Sequence, residues 1–556
     1  MTENEVQNDP QPSPPPNTNP TDQNRDHDQQ ANINPKKPLA PTLQTRCLTL
    51  LSEIDALKSL VASTLRNPQV VEFRSLRSSV LSELRAIEKV AKQIESSEVE
   101  TQPRPRTPQA DEEGSVDGEG DVRLAHALRS SNLPFYETVW TVAKTTCTGI
   151  VAFGKRFYWD VDARDWEVAK KRANMDKRKS VYVDIVADEG AEWVKVSTIS
   201  ESRLLFEMAK KGWEVDSEDE GEGEEGRTVL RNFEDDAGSA EEDDEDEIEL
   251  IKLGRDMRKA ANAMRVRYRH PRLRVVIPKI EEGKHGDIDG VLNQIRSYGI
   301  TVECGGYVSS TQIGDHPNVD ASDKQGFSHL VPNPFKRFTS TLNVDCTLLL
   351  ALVSDLSHFK NIQPSPGLHR AINRQIELDK EQPLITTEVW PAMDAHELIC
   401  TDEAARRMRE IVDIIGTDTE KERMKIMMGY SPFEGWDAAS LIQKFQELSD
   451  HKVPAQWKVP IKIVDAKSAI DMAFHNNKLP PVANEVAKTL SDINHSVFIY
   501  GWSTGLTTIS SNRTAARQIV EMVEKLRNGD ENLEGPQIWV CDTARSLIGK
   551  EKGRKN

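Results

Sequence analysis

The chain has 556 residues, 37% of them apolar and 6% aromatic, with six cysteines at least 42 residues apart. That length accommodates two or three domains, although so thin an apolar content implies that much of the chain is unpacked. No run approaches the roughly 20 apolar residues of a membrane span, the opening lacks the regions of a secretory signal, and the cysteine spacing excludes a CxxC zinc or redox pair, so a chain off the membrane, cytoplasmic and/or nuclear, is expected.

The net charge of −18 is local. Between Glu214 and Glu249 nineteen acidic residues face only Arg227 and Arg231, so nearly all of the excess sits there. Residues 252–279 follow with ten Lys and Arg against Asp256.

Taken in chain order, residues 1–42 are Pro, Asn, Gln and Asp with almost nothing to bury, and are expected to be disordered. Residues 43–98 place Leu43, Cys47, Leu50, Ile54, Leu57, Val61 and Leu65, then Val70, Phe73, Val80, Leu84, Ile87, Ala91 and Ile94, at three- and four-residue steps. This heptad stripe predicts a helical hairpin, broken at Asn67-Pro68, that pairs with itself or with a protein partner. Residues 99–122 read as a solvated linker.

Residues 123–310 read as a mixed α/β N-terminal domain interrupted by the acidic insertion 214–249. The stretch 131–159 predicts a long helix, SVYVDIVADEGAEWVKVSTIS a strand hairpin, and LRVVIPKI and TVECG further strands separated by helices. From 311 to 550, apolar strands alternate with helical patterns: LNVD, HSVFIY, LTTIS and IWVCD between TLLLALVSDL, EAARRMREIVDII and TAARQIVEMVEKL. This predicts an α/β fold with a mostly parallel sheet, whose ligands gather beyond the carboxyl ends of the strands.

Several motifs fail on their own terms. GIVAFGKR, 149–156, has Arg156 where a phosphate loop needs a hydroxyl, and HELIC, 396–400, lacks the second histidine of a zinc protease. GWSTG, 501–505, fits a nucleophile elbow, but no histidine follows His495, so Ser503 reads as a turn residue. Asp184, Glu192 and Lys195 suggest a restriction-type nuclease set with the wrong spacing, and a solvated strand face accounts for them.

Strand, Asp345, then an apolar helix (NVDCTLLLALVSDL) is the entry pattern of PIN-type nucleases. With NLPFYETVWTVAKTTCTGIVAFGKRF, SVYVDIVADEGAEWVKV and TTISSNRTAAR, residues 130–545 resemble an uncharacterised eukaryotic family, a domain of unknown function with a C-terminal PIN-like domain. The resemblance implies a small doubly wound sheet in which three or four acids hold Mg2+ or Mn2+, and a metal-bound water attacks an RNA phosphodiester. Asp345 matches the first acid. Glu388, expected to open a helix after a short strand, matches the second, with Asp394 and Glu397 as competitors. The third position offers only Trp502, Ser503 or Thr504 and the fourth Asn512, so the metal site has lost charge. Asp465 and Asp542, ending other strands, are further candidate ligands. For Asp345 itself, a metal role competes with capping the next helix.

Arg265, Arg267, Arg269, Arg272 and Arg274, interleaved with Tyr268, form a stripe that can track phosphates and stack a base; the competing readings are a solvated face or one masked by the acidic insertion. Residues 169–180, AKKRANMDKRKS, read as a nuclear import signal or as plain surface. The expectation is an RNA-associated PIN-like protein with weak or lost metal-dependent ribonuclease activity, Asp345 and Glu388 being the catalytic pair; the alternative is a non-catalytic interaction scaffold.

Overall fold

The structure, a computed structural model, describes residues 39–100, 126–159, 179–211, 247–305, 326–541 and 547. Residues 1–38, the 99–122 linker beyond Glu100, most of the basic segment 169–180, the bulk of the acidic insertion and Asp542 lie outside them.

Two five-stranded sheets organise the chain. The first runs β1 (Ala152–Tyr158), β2 (Ser180–Ala187), β3 (Glu192–Val196), β4 (Arg272–Ile277) and β5 (Ile300–Cys304) in sequence order. β1–β2 and β2–β3 are antiparallel, whereas β3–β4 and β4–β5 are parallel. Its three middle strands β2, β3 and β4 bury side chains on both sides, so both faces need cover. The helices Glu201–Lys210, Glu249–Asn262 and Gly286–Ser297 cover one face through Leu204, Met257, Val291 and Ile295.

The other face is covered by α1 (Leu39–Thr64) and α2 (Arg74–Glu100), together with the helix Leu133–Thr146. Leu50, Ile54, Leu57 and Val80 join Trp140, Phe153, Ile185, Val194 and Val276 in one core. The heptad stripe, expected to pair with itself or with another chain, is thus buried within its own chain, the two helices and the sheet face sharing one core. Each such side chain taken out of water contributes about 1.5–3 kcal/mol, enough to make the sheet face the stripe's partner. Polar contacts fix the hairpin: Arg77 forks onto Asp55 at 2.7 and 2.9 Å, and Glu72 exchanges backbone hydrogen bonds with Val151 and Phe153 at the edge of the sheet.

The second sheet is all parallel, in the order β10 (Ile538–Val540), β9 (Thr507–Ser510), β6 (Thr341–Val344), β7 (Glu397–Thr401), β8 (Lys462–Val464). The chain enters at the central strand β6, winds outward to β8, then returns to β9 on the other side. The direction of winding therefore reverses between β6 and β9, and the crevice beyond that point is where open α/β sheets take ligands. The helices Cys346–Val353, Asp402–Ile415 and Asp418–Met428 pack on one face, and Ala466–His475, Val482–Thr489 and Arg513–Lys525 on the other. No helix among the described residues is long and apolar enough to cross a membrane.

Three local expectations change. Residues 495–504, expected to contain a strand, are helical, a wide π turn over His495–Ile499 continuing into Tyr500–Thr504. The short strand expected just before Glu388 does not form: Ile385–Val389 is a π turn that continues into the helix Trp390–Met393, and the neighbouring strand is β7. The segment after Thr146 leaves the helix at Cys147, which is extended, turns at Gly149 with φ of 59°, and becomes β1.

Candidate functional site

Asp345 follows β6 directly and is 3% exposed. Its amide donates to Ile509 O at 3.0 Å, which ties the end of β6 to β9 across the reversal point. Its Oδ2 accepts two hydroxyls, Ser510 Oγ and Thr347 Oγ1, each at 2.6 Å. Both hydroxyls in turn accept backbone amides, Ser510 Oγ from Asn512 at 2.9 Å and Thr347 Oγ1 from Ser511 at 3.0 Å. The proton directions are therefore fixed: each hydroxyl spends its hydrogen on the carboxylate. Burial pushes the Asp345 carboxyl above the usual range, opposed by the two hydroxyls and by the amides of Cys346 and Thr347. Asp345 occupies the N-cap position of the helix Cys346–Val353, but its side chain makes no capping hydrogen bond. Its partners are the two hydroxyls.

Glu388 lies half-buried in the π turn, and its Oε2 accepts the Cys541 thiol at 3.0 Å. The Cys541 amide donates to Ser510 O at 2.8 Å. Asp345 thus meets the Ser510 side chain directly, whereas Glu388 connects to Ser510 only through Cys541. Among the described residues no group of three His, Cys, Asp or Glu is placed to share a metal ion.

The other candidate ligands are engaged elsewhere. Asp465, exposed beyond the edge strand β8, caps the helix Ala466–His475 by accepting Ser468 N at 3.1 Å and Ser468 Oγ at 2.6 Å; these bonds hold its carboxyl below the usual range. Asn512 spends its carbonyl capping Arg513–Lys525 through Ala515 N at 3.1 Å, and its amide donates to Asn494 at 3.1 Å. Glu397 opens β7 at the opposite edge and pairs with Lys462 at 3.1 Å, while Asp394 accepts Gln456 at 2.8 Å. Ser503 and Thr504 return their hydroxyls to Tyr500 O, and Trp502 shares that helical turn. In the first sheet, Asp184 is buried, accepting Val196 N at 2.8 Å and Lys195 at 3.2 Å, while Glu192 pairs with Arg274.

The basic stripe is not one face. Arg267 and Tyr268 have φ of 52° and 69°, so residues 265–269 turn back on themselves with Val266 and Arg269 bridged. Each of the five arginines meets an acid of this chain. Arg265 reaches Glu531 at 2.6 Å and Glu524 at 3.4 Å, Arg267 pairs with Glu189 and Arg269 with Glu534. Arg272 reaches Asp188 at 3.0 Å, and buried Arg274 lies 3.3 Å from both Glu192 and Glu303. Tyr268 packs against the core beside the second sheet, its hydroxyl buried. The turn is therefore a seam between the two sheets' domains.

Ser510, Thr347 and Cys541 were not singled out by the sequence. A hydroxyl two residues beyond Asp345, and another closing LTTIS, are the signals that would have marked the first two.

Residues 342–431, from within β6 through Asp345 and Glu388 to the turn after Asp418–Met428, match the family model of a protein of unknown function, DUF1308. No curated protein and no solved structure matches the chain.

Proposed function

We propose that the second sheet is a PIN-like domain in which divalent-metal ribonuclease chemistry is weak or lost, and that the protein acts as a non-catalytic interaction scaffold. The reading rests above all on the Asp345 carboxylate, which accepts two hydroxyls on one oxygen where a hard cation wants an uncommitted, charged oxygen. The strand order, with the first strand central and a reversal beside it, supports the PIN-like assignment. Ser503 and Thr504, at the third acid position of the nuclease pattern, return their hydroxyls to Tyr500 O, and Asn512, at the fourth, spends its carbonyl on a helix cap; none brings charge. The six cysteines, none of them in a disulfide, support a cytoplasmic or nuclear setting.

A second reading keeps an RNA-associated enzyme of low activity, with Mg2+ or Mn2+ held by Asp345 and Glu388. What favours it is that Asp345 bonds Ser510 directly and Glu388 bonds Cys541, whose amide bonds Ser510. Incubating the full chain with labelled single-stranded RNA and Mn2+, beside Asp345→Asn, separates the two. The scaffold predicts identical, background-level product from both proteins. Cleavage that Asp345→Asn abolishes overturns it.

A further inference from the structure

The second domain contains a cavity of about 300 Å³ that none of the groups above uses. It lies between the segment following the short helix Asp355–His358, the helix Arg370–Glu381 and the loop at His451. Phe359, Ile362 and Ile376 supply apolar wall, and Lys360, Lys380 and His451 contribute nitrogen. Three observations give the site a chemistry.

His451 is 8% exposed as a whole residue, and its ring nitrogens, which hydrogen-bond to no described residue, are not sealed off: the residue lines the cavity. A polar group that faces a cavity without a protein partner is satisfied by water or by an occupant. The ammonium groups come next: Lys360 has no acidic partner among the described residues, and Lys380 reaches only the neutral amide oxygen of Gln363, at 3.2 Å. Finally, the one carboxylate in the wall, Asp379, is already answered. It accepts Leu384 N at 2.9 Å and lies 3.7 Å from Arg66, which reaches over from the end of α1. Nearby, Asp450 accepts the Lys360 amide at 2.9 Å.

We propose that this cavity binds a small organic acid: an apolar body against Phe359, Ile362 and Ile376, and a carboxylate toward Lys360, Lys380 and the His451 ring. The volume is at the lower end of small-molecule sites, and an apolar wall with a few convergent polar groups is their usual composition. The site is separate from the Asp345 edge and stands whichever reading of that edge holds.

The test uses the full chain with 4-phenylbutyrate and, as its neutral counterpart, 4-phenyl-1-butanol, followed by calorimetry and ligand-observed NMR. The acid should bind about tenfold more tightly than the alcohol, as a charge-assisted contact requires. Lys360→Gln/Lys380→Gln, which changes two exposed side chains, should erase that preference, and Ile376→Trp, filling the cavity, should abolish binding of both. Equal affinity for acid and alcohol, no binding of either at millimolar concentration, or a preference unchanged in the double variant would overturn the proposal. Circular dichroism of Ile376→Trp establishes folding, and the double lysine variant decides the matter should that protein fail to fold.

Discussion

Ser510 on β9 donates its hydroxyl to the Asp345 carboxylate at the end of β6, 2.6 Å away, across the point where the sheet reverses its winding. An acid that a nuclease would present to a cation instead holds two neighbouring strand ends together. Its raised pKa fixes a sign. The folded state holds the Asp345 proton more tightly than the unfolded chain does, so the associated stability is full below about pH 4 and is lost as pH rises toward the folded pKa. At pH 7 Asp345→Asn, which keeps an acceptor oxygen and removes the charge, should be at least as stable as the wild type. Asp345→Ala strands two hydroxyls and should lose about 1–3 kcal/mol for each. Urea midpoints decide this; an Asn variant as crippled as the Ala variant would show that the charge itself is needed.

Arg423 is fully buried, donating to Asp355 Oδ1 at 2.7 Å and to the carbonyls of Val353 and Leu448. Thr417 and Thr419 donate to the same carboxylate, and Glu420 receives the Asp355 amide at 3.0 Å. Asp355→Ala removes the carboxylate hydrogen-bonded to a buried guanidinium, leaving it only the more distant charges of Glu420 and Asp450, and should cost about 3–5 kcal/mol by chemical denaturation. A loss below 1 kcal/mol would mean that water reaches Arg423.

His358 gives a pH dependence of the opposite sign to that of Asp345. Its Nε2 donates to Leu352 O at 2.6 Å and its Nδ1 accepts Ser449 Oγ at 2.9 Å, a neutral tautomer. Burial, followed by the positive Arg423, holds the imidazole well below the ordinary range. The unfolded chain therefore takes up this proton first. The stability is complete above about pH 6.5 and falls as pH drops, by at most about 1.4 kcal/mol per unit. Between pH 7 and pH 5.5, His358→Gln should lose less stability than the wild type; parallel losses would exclude His358 as the source.

The seam arginines give a fourth expectation. The acids that Arg265 and Arg269 meet most closely are half-exposed, Glu531 at 60% and Glu534 at 53%, so each of these two pairs is worth at most about 1 kcal/mol. Arg265→Ser/Arg269→Ser should lower stability by about 1–2 kcal/mol and leave affinity for single-stranded RNA unchanged in filter binding. A marked, salt-dependent loss of RNA affinity would restore the stripe as a phosphate track.

What the sequence disclosed follows from how local each signal is. LNVD, read as strand then acid then helix, is what forms, because a short strand buried at Leu342, Asn343 and Val344 and followed by an eight-residue apolar helix has few other solutions. HSVFIY has as strand-like a composition and becomes helix. Val497, Phe498 and Ile499 are all fully buried, so no alternation distinguishes the two states. Gly501 then permits that helix to approach β9 where any Cβ would overlap the Thr508 hydroxyl, which is the structural reason for the first glycine of GWSTG. The candidate acids at Asp345 and Glu388 were legible as acids at strand and helix ends. Their partners were not, since Ser510 and Cys541 lie more than 150 positions away. The seam was equally hidden: an arginine run reads as a surface for something foreign until Glu531 and Glu534 arrive from the far end of the chain.

The cover that α1 and α2 place over the first sheet has a consequence for synthesis. At roughly 5–20 residues per second, β4 leaves the ribosome on the order of ten to thirty seconds after α2. During that interval Leu50, Ile54 and Leu57 have no finished sheet to lie on. The nascent hairpin is sticky for as long as translation takes to reach Val276, and slowing the ribosome between these segments lengthens its exposure to chaperones and to neighbouring nascent chains.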